Sequence, residues 1–213
     1  MDKTIKIATF SRFTQVSRET IISLKKYEDI LTKDNKTMNL IGNSTINDIW
    51  IRHFLDSAQV IDFIDKNQKT LIDVGSGAGF PGLVIAILAK DKKIPLKIKL
   101  IEKSSKKAKF LKKLIDEFQL DTEVINKNIF EYTKKISAEV FVARAFKPLK
   151  IFLPLIHNKV ENWKKILVFL GKTGKNELLQ ASKSWDIKYK QRVSITSNDS
   201  IILEINRLKK KIE

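Results

Sequence analysis

The chain is 213 residues long, carries 41 Lys and Arg against 24 Asp and Glu, and has no cysteine. The missing thiols exclude a disulfide framework, a cysteine zinc site and a thiol nucleophile. The formal charge of +17 suits a polyanionic partner, although only six of the basic residues are Arg, and so large a Lys surplus also follows from an AT-rich coding bias. The surplus is uneven: residues 1–70 hold 11 basic and 9 acidic side chains, residues 71–213 hold 30 and 15.

The first ten residues lack the apolar run of a signal peptide, and no stretch approaches about 18 uninterrupted apolar residues. The expectation is a soluble, cytoplasmic protein that does not enter a membrane. Residues 11–33 place Phe13, Val16, Ile21, Leu24, Tyr27, Ile30 and Leu31 at mostly three-to-four spacing, which predicts one amphipathic helix. "NLIGNST" reads as a loop, with Ser44 or Thr45 as N-cap of a second helix over 46–64. From Leu71 the period changes. "TLIDVG" is a short strand run into glycine, and a helix begins near Phe80–Gly82. Residues 96–102, 122–126, 138–146 and 164–171 read as strands; 104–118, 148–160 and 174–185 read as helices. "IKYKQRVSI" and "SIILEINRL" end the chain as an antiparallel pair.

Strands alternating with helices mean βαβ units and a parallel sheet. The organisation expected is a helical extension, residues 1–70, on an α/β Rossmann-like domain, residues 71–213, with an antiparallel C-terminal edge. In such sheets the ligand sits beside the first βα turn, at the carboxyl ends of the strands. Here "GAGFPG" (77–82) satisfies the dinucleotide spacing, while "DVGSGAG" (73–79) satisfies a methyltransferase spacing. Glu102, ending the next strand, suits the ribose of either ligand. Three features favour S-adenosylmethionine. There is no GxxxxGK[ST] for a nucleotide triphosphate. The positioned acid that hydride transfer needs is not evident, with two His and no Tyr followed by Lys four residues on. Phe80 and Pro81 crowd the place of a pyrophosphate. The dinucleotide oxidoreductase remains open at this point, as does a basic RNA-binding protein with a vestigial pocket.

"LIDVGSGAGFPGLVIAI" (71–87) resembles the signature of the GidB/RsmG family, methyltransferases of small-subunit ribosomal RNA. "MNLIGNST" (38–45), "WIRHFLDS" (50–57), "LIEKSSKKAKFL" (100–111), "VARAFKPL" (142–149) and "FLGKTGKNEL" (169–178) extend the likeness over essentially the whole chain. Val84 departs from the family's frequent proline, and the loop from 39 to 48 is also divergent. The resemblance implies a class I methyltransferase fold and transfer of a methyl from S-adenosylmethionine to N7 of a guanine in a loop of 16S rRNA. The substrate is then the rRNA or a small-subunit particle, and the enzyme is expected to act as a monomer without metal.

It further implies that Gly75 and Phe80 line the cofactor pocket, that Ile129 and Phe130 flank the adenine, and that Arg144 lies near the methionine end. Asp73, Gly77 and Glu102 join them from the general class pattern. Arg144 competes with a plainer reading as a rim arginine bridging carboxylates, Arg52 and His53 are positioning candidates, and Arg52 is also an RNA candidate. Asp56 is expected to hold Arg52 or His53 at helical spacing. Lys172 and Lys175 are expected to meet phosphates. The run Lys103, Lys106, Lys107, Lys109, Lys112 and Lys113 reads first as a solvated helix face, part of which could face RNA. A valine at Gly77 is expected to block the turn by steric clash.

Overall fold

The computed structural model describes residues 2–211. The N-terminal region begins with two helices where periodicity predicts one. α1 (Lys3–Thr14) and α2 (Arg18–Met38) part at Gln15, which takes φ 52°, and Ser17 caps the second helix by accepting from the Thr20 N–H. The apolar spacing of Phe13 and Val16 runs through this break and hides it, whereas the cap decides it. α2 buries Thr20, Leu24, Tyr27, Leu31 and Asn35, one stripe at three-to-four spacing. The Asn35 carboxamide accepts from the Ile41 N–H at 2.8 Å and so fixes the loop that follows.

Residues 43–63 are not the single α-helix expected. They run as a 3-10 helix (Asn43–Asp48), a π-helix (Trp50–Leu55), the single turn α3 (Asp56–Ala58) and a 3-10 helix (Gln59–Phe63). The cap is also corrected, because Gly42 stands at the N-cap and neither Ser44 nor Thr45 does. Trp50 and Phe54 are buried against Phe10 and Tyr27, and each such burial contributes about 1.5–3 kcal/mol. π-turns of this kind are concentrated at functional sites.

The sheet is assembled from β1 (Thr70–Val74), β2 (Lys97–Ile101), β3 (Thr122–Ile125), β5 (Val140–Arg144), β7 (Lys165–Leu170), β8 (Trp185–Ser194) and β9 (Ser197–Lys210), in the spatial order β3-β2-β1-β5-β7-β9-β8. The first five are parallel; β9 runs antiparallel to both β7 and β8. This is the mostly parallel sheet with an antiparallel C-terminal edge that the alternation predicts. A separate pair, β4 (Ile136–Ser137) with β6 (Val160–Glu161), is too short to leave a sequence pattern.

Side chains alternate across β1: Leu71 enters one core, Ile72 and Val74 the other. The first core is shared by α1, α2, residues 49–63, α4 (Gly82–Asp91) and α5 (Ser105–Phe118); the second lies under α6 (Leu149–Lys159) and α7 (Gly174–Ser184). The strand order reverses at β1, between β2 and β5. The crevice of a doubly wound sheet therefore opens at the carboxyl ends of these strands.

Candidate active site

A cavity of about 800 Å³ lies at that crevice, floored by the β1 turn and lined further by β2, the loop after β3, the end of β5 and residues 40–56. At its base Gly75 and Ser76 donate their N–H groups to the Ile101 carbonyl at 2.9 and 3.1 Å, tying the turn to the neighbouring strand. Gly75 has φ +77°, and a Cβ there would lie 2.3 Å from Phe146 Cδ2. Gly77 has φ +55°, but the nearest atom to a Cβ would be the Gly75 carbonyl oxygen at 3.9 Å. The clash expected of a side chain at Gly77 is thus corrected: within the protein it belongs to Gly75, and a side chain at Gly77 is opposed by backbone strain and by the cavity space it would fill.

Two carboxylates end adjacent strands and have opposite surroundings. Glu102 lines the cavity; its Oε2 accepts from the Gly77 N–H at 2.9 Å and its Oε1 from the Ser104 N–H at 2.7 Å. Each oxygen keeps a lone pair for a further donor. Asp73 is fully buried and absent from the cavity wall. Its Oδ2 accepts from the Gly82 N–H at 2.9 Å and its Oδ1 has no partner, so desolvation raises its pKa from 3.8 to about 7. Asp73 is therefore corrected from a wall residue to a brace for the start of α4. That brace also occupies a leading amide of the helix that a dinucleotide's pyrophosphate would need.

Ile129 and Phe130 follow β3 on the opposite side, with Asn128 capping their 3-10 turn by accepting from the Phe130 N–H. Phe130 stacks with Phe146 at 6.1 Å and 18°. Together with Ile101 they form an apolar slot in the cavity wall. Phe80 is held in a column: Tyr27 stacks on it at 5.6 Å, and His53 stacks on it at 4.8 Å. The Tyr27 hydroxyl also donates to the Ala78 carbonyl, joining α2 directly to the glycine turn.

Arg144 is gripped by residues 52–56. Its Nε donates to Asp56 Oδ2 at 2.9 Å, its Nη1 meets His53 Nδ1 at 3.1 Å and its Nη2 donates to the Arg52 carbonyl at 2.6 Å. Guanidinium only donates, so Nδ1 accepts and the His53 Nε2–H faces Thr45 Oγ1 at 2.9 Å. Burial, with Arg144 and Arg52 nearby, depresses the His53 pKa to about 3 and keeps the imidazole neutral. Asp56 thus holds Arg144, and not Arg52 or His53 as helical spacing suggests; the plainer reading of Arg144 as a bridge to a carboxylate and its place on the cavity wall are both observed.

Arg52 reaches the cavity rim, but Lys172 and Lys175 do not; Lys172 is exposed and lies 3.5 Å from Asp199. Of the α5 run, Lys103 and Lys107 line the cavity, whereas Lys113 pairs with Asp34 at 3.0 Å. Lys127 and Lys147 complete the rim. These two, with Phe146 and Thr196, escape sequence reasoning. The only signal in the chain was their nearness to Ile129, Arg144 and the turn between the last two strands.

The GidB family model, described as rRNA small subunit methyltransferase G, matches residues 20–205. "Ribosomal RNA small subunit methyltransferase G" of Pelagibacter ubique is 38% identical over 213 residues, 99% of this chain and 100% of that protein. The protein of the same name from Rickettsia akari is 35% identical over 196 residues, 92% of this chain and 98% of its own. Among solved structures, TrmK of M. capricolum in complex with S-adenosyl-homocysteine superimposes with a TM-score of 0.53 at 18% identity, covering 70% of this chain and 66% of that one. At that identity the likeness concerns the fold, which is that of class I methyltransferases.

Proposed function

The chain belongs to the GidB family, rRNA small subunit methyltransferase G, and on that premise we propose that its cavity holds S-adenosylmethionine while its rim receives 16S rRNA, for methylation of a guanine N7. One observation carries this reading: the cavity has a carboxylate in its floor and cations around its mouth. Arg52, Lys103, Lys107, Lys127 and Lys147 line it, and none makes an ion pair among the described residues. S-adenosylmethionine carries a sulfonium, an ammonium and a carboxylate, a net positive charge that does not call for a cationic rim. The cations therefore suit a second ligand, and a phosphate backbone is what they fit.

The residues present fit the cofactor. Glu102 retains acceptor capacity for two ribose hydroxyls. Ile129 and Phe130 offer apolar faces for an adenine, and Gly77 leaves open the space that a side chain would fill. Arg144 keeps two of its five N–H bonds for the methionine carboxylate. Gly75 and Phe80 shape the floor. Residues 1–70 act in this reading as an extension that closes one side of the domain formed by residues 71–213, and the enzyme works as a monomer in the cytoplasm. No described helix is long and apolar enough to cross a membrane.

S-adenosylmethionine supplies an electrophilic methyl group on a sulfonium. Guanine N7 has a free lone pair and no proton, so no general base is needed, which agrees with a neutral His53 bonded on both ring nitrogens. What the chain contributes is alignment and exclusion of water. N7 lies on the major-groove edge, too deep in A-form RNA for side chains, so the target must sit in a loop or be splayed out. The test is methyl incorporation from labelled S-adenosylmethionine into small-subunit particles lacking the modification, with the base identified by mass spectrometry. N7-methylguanine at one loop position is expected; no incorporation into particles or free rRNA, despite tight binding of S-adenosyl-homocysteine, would overturn the substrate reading.

A further inference from the structure

The two oxygens of the Asp56 carboxylate, at the edge of the cavity, have different partners. Oδ1 accepts from the Ser194 hydroxyl at 2.8 Å, the Thr196 hydroxyl at 2.8 Å and the Gln59 amide at 2.9 Å. Oδ2 accepts from Arg144 alone. Three donors on one oxygen fix the plane and direction of the carboxylate, so the other oxygen cannot follow a wandering guanidinium. Arg144 is in turn met on two further nitrogens by His53 and the Arg52 carbonyl. Two N–H bonds remain, on a side chain that lines the cavity. A long Arg side chain loses much rotamer freedom on being held. Here that cost is met within the folded protein, before any ligand arrives.

We propose that Asp56 is the positioning residue of Arg144: it pre-sets the guanidinium so that its two remaining N–H bonds receive the carboxylate of the cofactor's amino-acid end. The proposal rests on the reading that Arg144 meets that end of S-adenosylmethionine. His53 contributes as a neutral acceptor and Ser194 and Thr196 as anchors of the anchor, so the turn between β8 and β9 takes part in cofactor recognition without touching the cofactor.

The ligand pair that tests this is S-adenosyl-homocysteine and 5′-methylthioadenosine. Both carry the adenosine and its sulfur; only the first carries the carboxylate. Binding of each is measured by calorimetry to wild type, Asp56→Asn, Arg144→Lys, the double variant and Ser194→Ala, with thermal unfolding followed in parallel. Asp56→Asn preserves volume and keeps the variant folded where alanine would leave a hole. We expect it to weaken S-adenosyl-homocysteine about tenfold, the scale of one charge-assisted hydrogen bond, and to leave methylthioadenosine unchanged. Arg144→Lys should do the same, and the double variant should be no worse than Arg144→Lys alone. Ser194→Ala should lower the unfolding temperature and shift the ratio in the same direction as Asp56→Asn but by less, about threefold, the scale of one of three donors lost. If Arg144→Lys shifts the ratio and Asp56→Asn does not, Asp56 is a structural tie only and the proposal is overturned. A ratio unmoved by Arg144→Lys, with S-adenosyl-homocysteine still bound, would overturn it at its premise while leaving the cofactor assignment of the cavity in place.

Discussion

The two sides of the cavity are made in opposite ways. The side formed by residues 75–79 and the end of β2 is backbone and one carboxylate, and its ties are short: Gly77 to Glu102 spans 25 residues. The side formed by residues 52–56 is mostly side chains and, beyond the local ties of His53 to Thr45 and Asp56 to Gln59, is held by partners 88 to 140 residues away at Arg144 and Thr196. A wall of backbone needs conformation, which local sequence dictates. A wall of side chains needs neighbours, which only the finished fold supplies. The first should therefore fail through backbone strain, and the second through loss of a partner.

The largest effect tests the backbone side. Gly75→Ala places a methyl 2.3 Å from Phe146 Cδ2 at φ +77° and should weaken S-adenosyl-homocysteine by at least about a hundredfold while lowering the unfolding temperature, strain at such a position alone being about 1–3 kcal/mol. Gly77→Ala meets nothing closer than 3.9 Å, so its protein-internal penalty is strain alone and its loss of affinity should be several-fold smaller. Equal losses at the two glycines, in calorimetry and melting, would break the distinction. Glu102→Gln comes next: it weakens two backbone ties and the ribose contacts together, with about a tenfold rise in the dissociation constant expected from one charge-assisted hydrogen bond. An unchanged constant would remove Glu102 from the cofactor site.

Smaller, and specific to the outer rim, is the effect of Lys103→Gln with Lys127→Gln. RNA affinity should lose about 0.7 of log–log salt slope per phosphate contact removed, with S-adenosyl-homocysteine binding unaltered; Lys172→Gln, beyond the cavity, is the comparison. A steeper loss at Lys172 would relocate the RNA path. Outside the affinity series stands a pH effect on stability at Asp73. Its carboxyl is raised to about 7 in the folded chain against 3.8 in the reference state. Between these values the unfolded chain releases a proton that the folded one keeps, so this group's contribution to stability declines as pH rises. The melting temperature of Asp73→Asn relative to wild type should accordingly move in the variant's favour from pH 4 to pH 7. A constant difference would show Asp73 to be ionised in the fold.

The same division explains what the sequence made legible. β1, α4, β2, α5 and β3 follow from regular periods broken by glycine and by Ser104, which caps α5 through the Lys107 N–H. Gly75, Gly77, Phe80, Glu102, Ile129, Phe130 and Arg144, to which the glycine motif and the family resemblance point, all line one cavity. Asp73 belongs to the same motif and does not line it, because its side chain points back under the helix that the motif begins. The π-turn at Trp50–Leu55 has no signature, since Trp50 and Phe54 lie four residues apart, a spacing that an ordinary α-helix buries on one face equally well. Lys127 and Lys147 lay in plain sight among 41 basic residues; only the closure of the sheet tells them from the rest.

The bond from Ser194 to Asp56 joins residues 138 positions apart, and that interval is also a time. A ribosome adding about 5–20 residues per second completes Ser194 roughly 7 to 28 s after Asp56. For that interval the glycine turn, Glu102 and eventually Arg144 exist on a growing chain whose Asp56 still lacks two of its donors. The wall around Arg144 is thus completed only with the last hairpin, and a nascent chain stopped short of that hairpin carries the glycine floor of the cavity but not the finished wall that faces it.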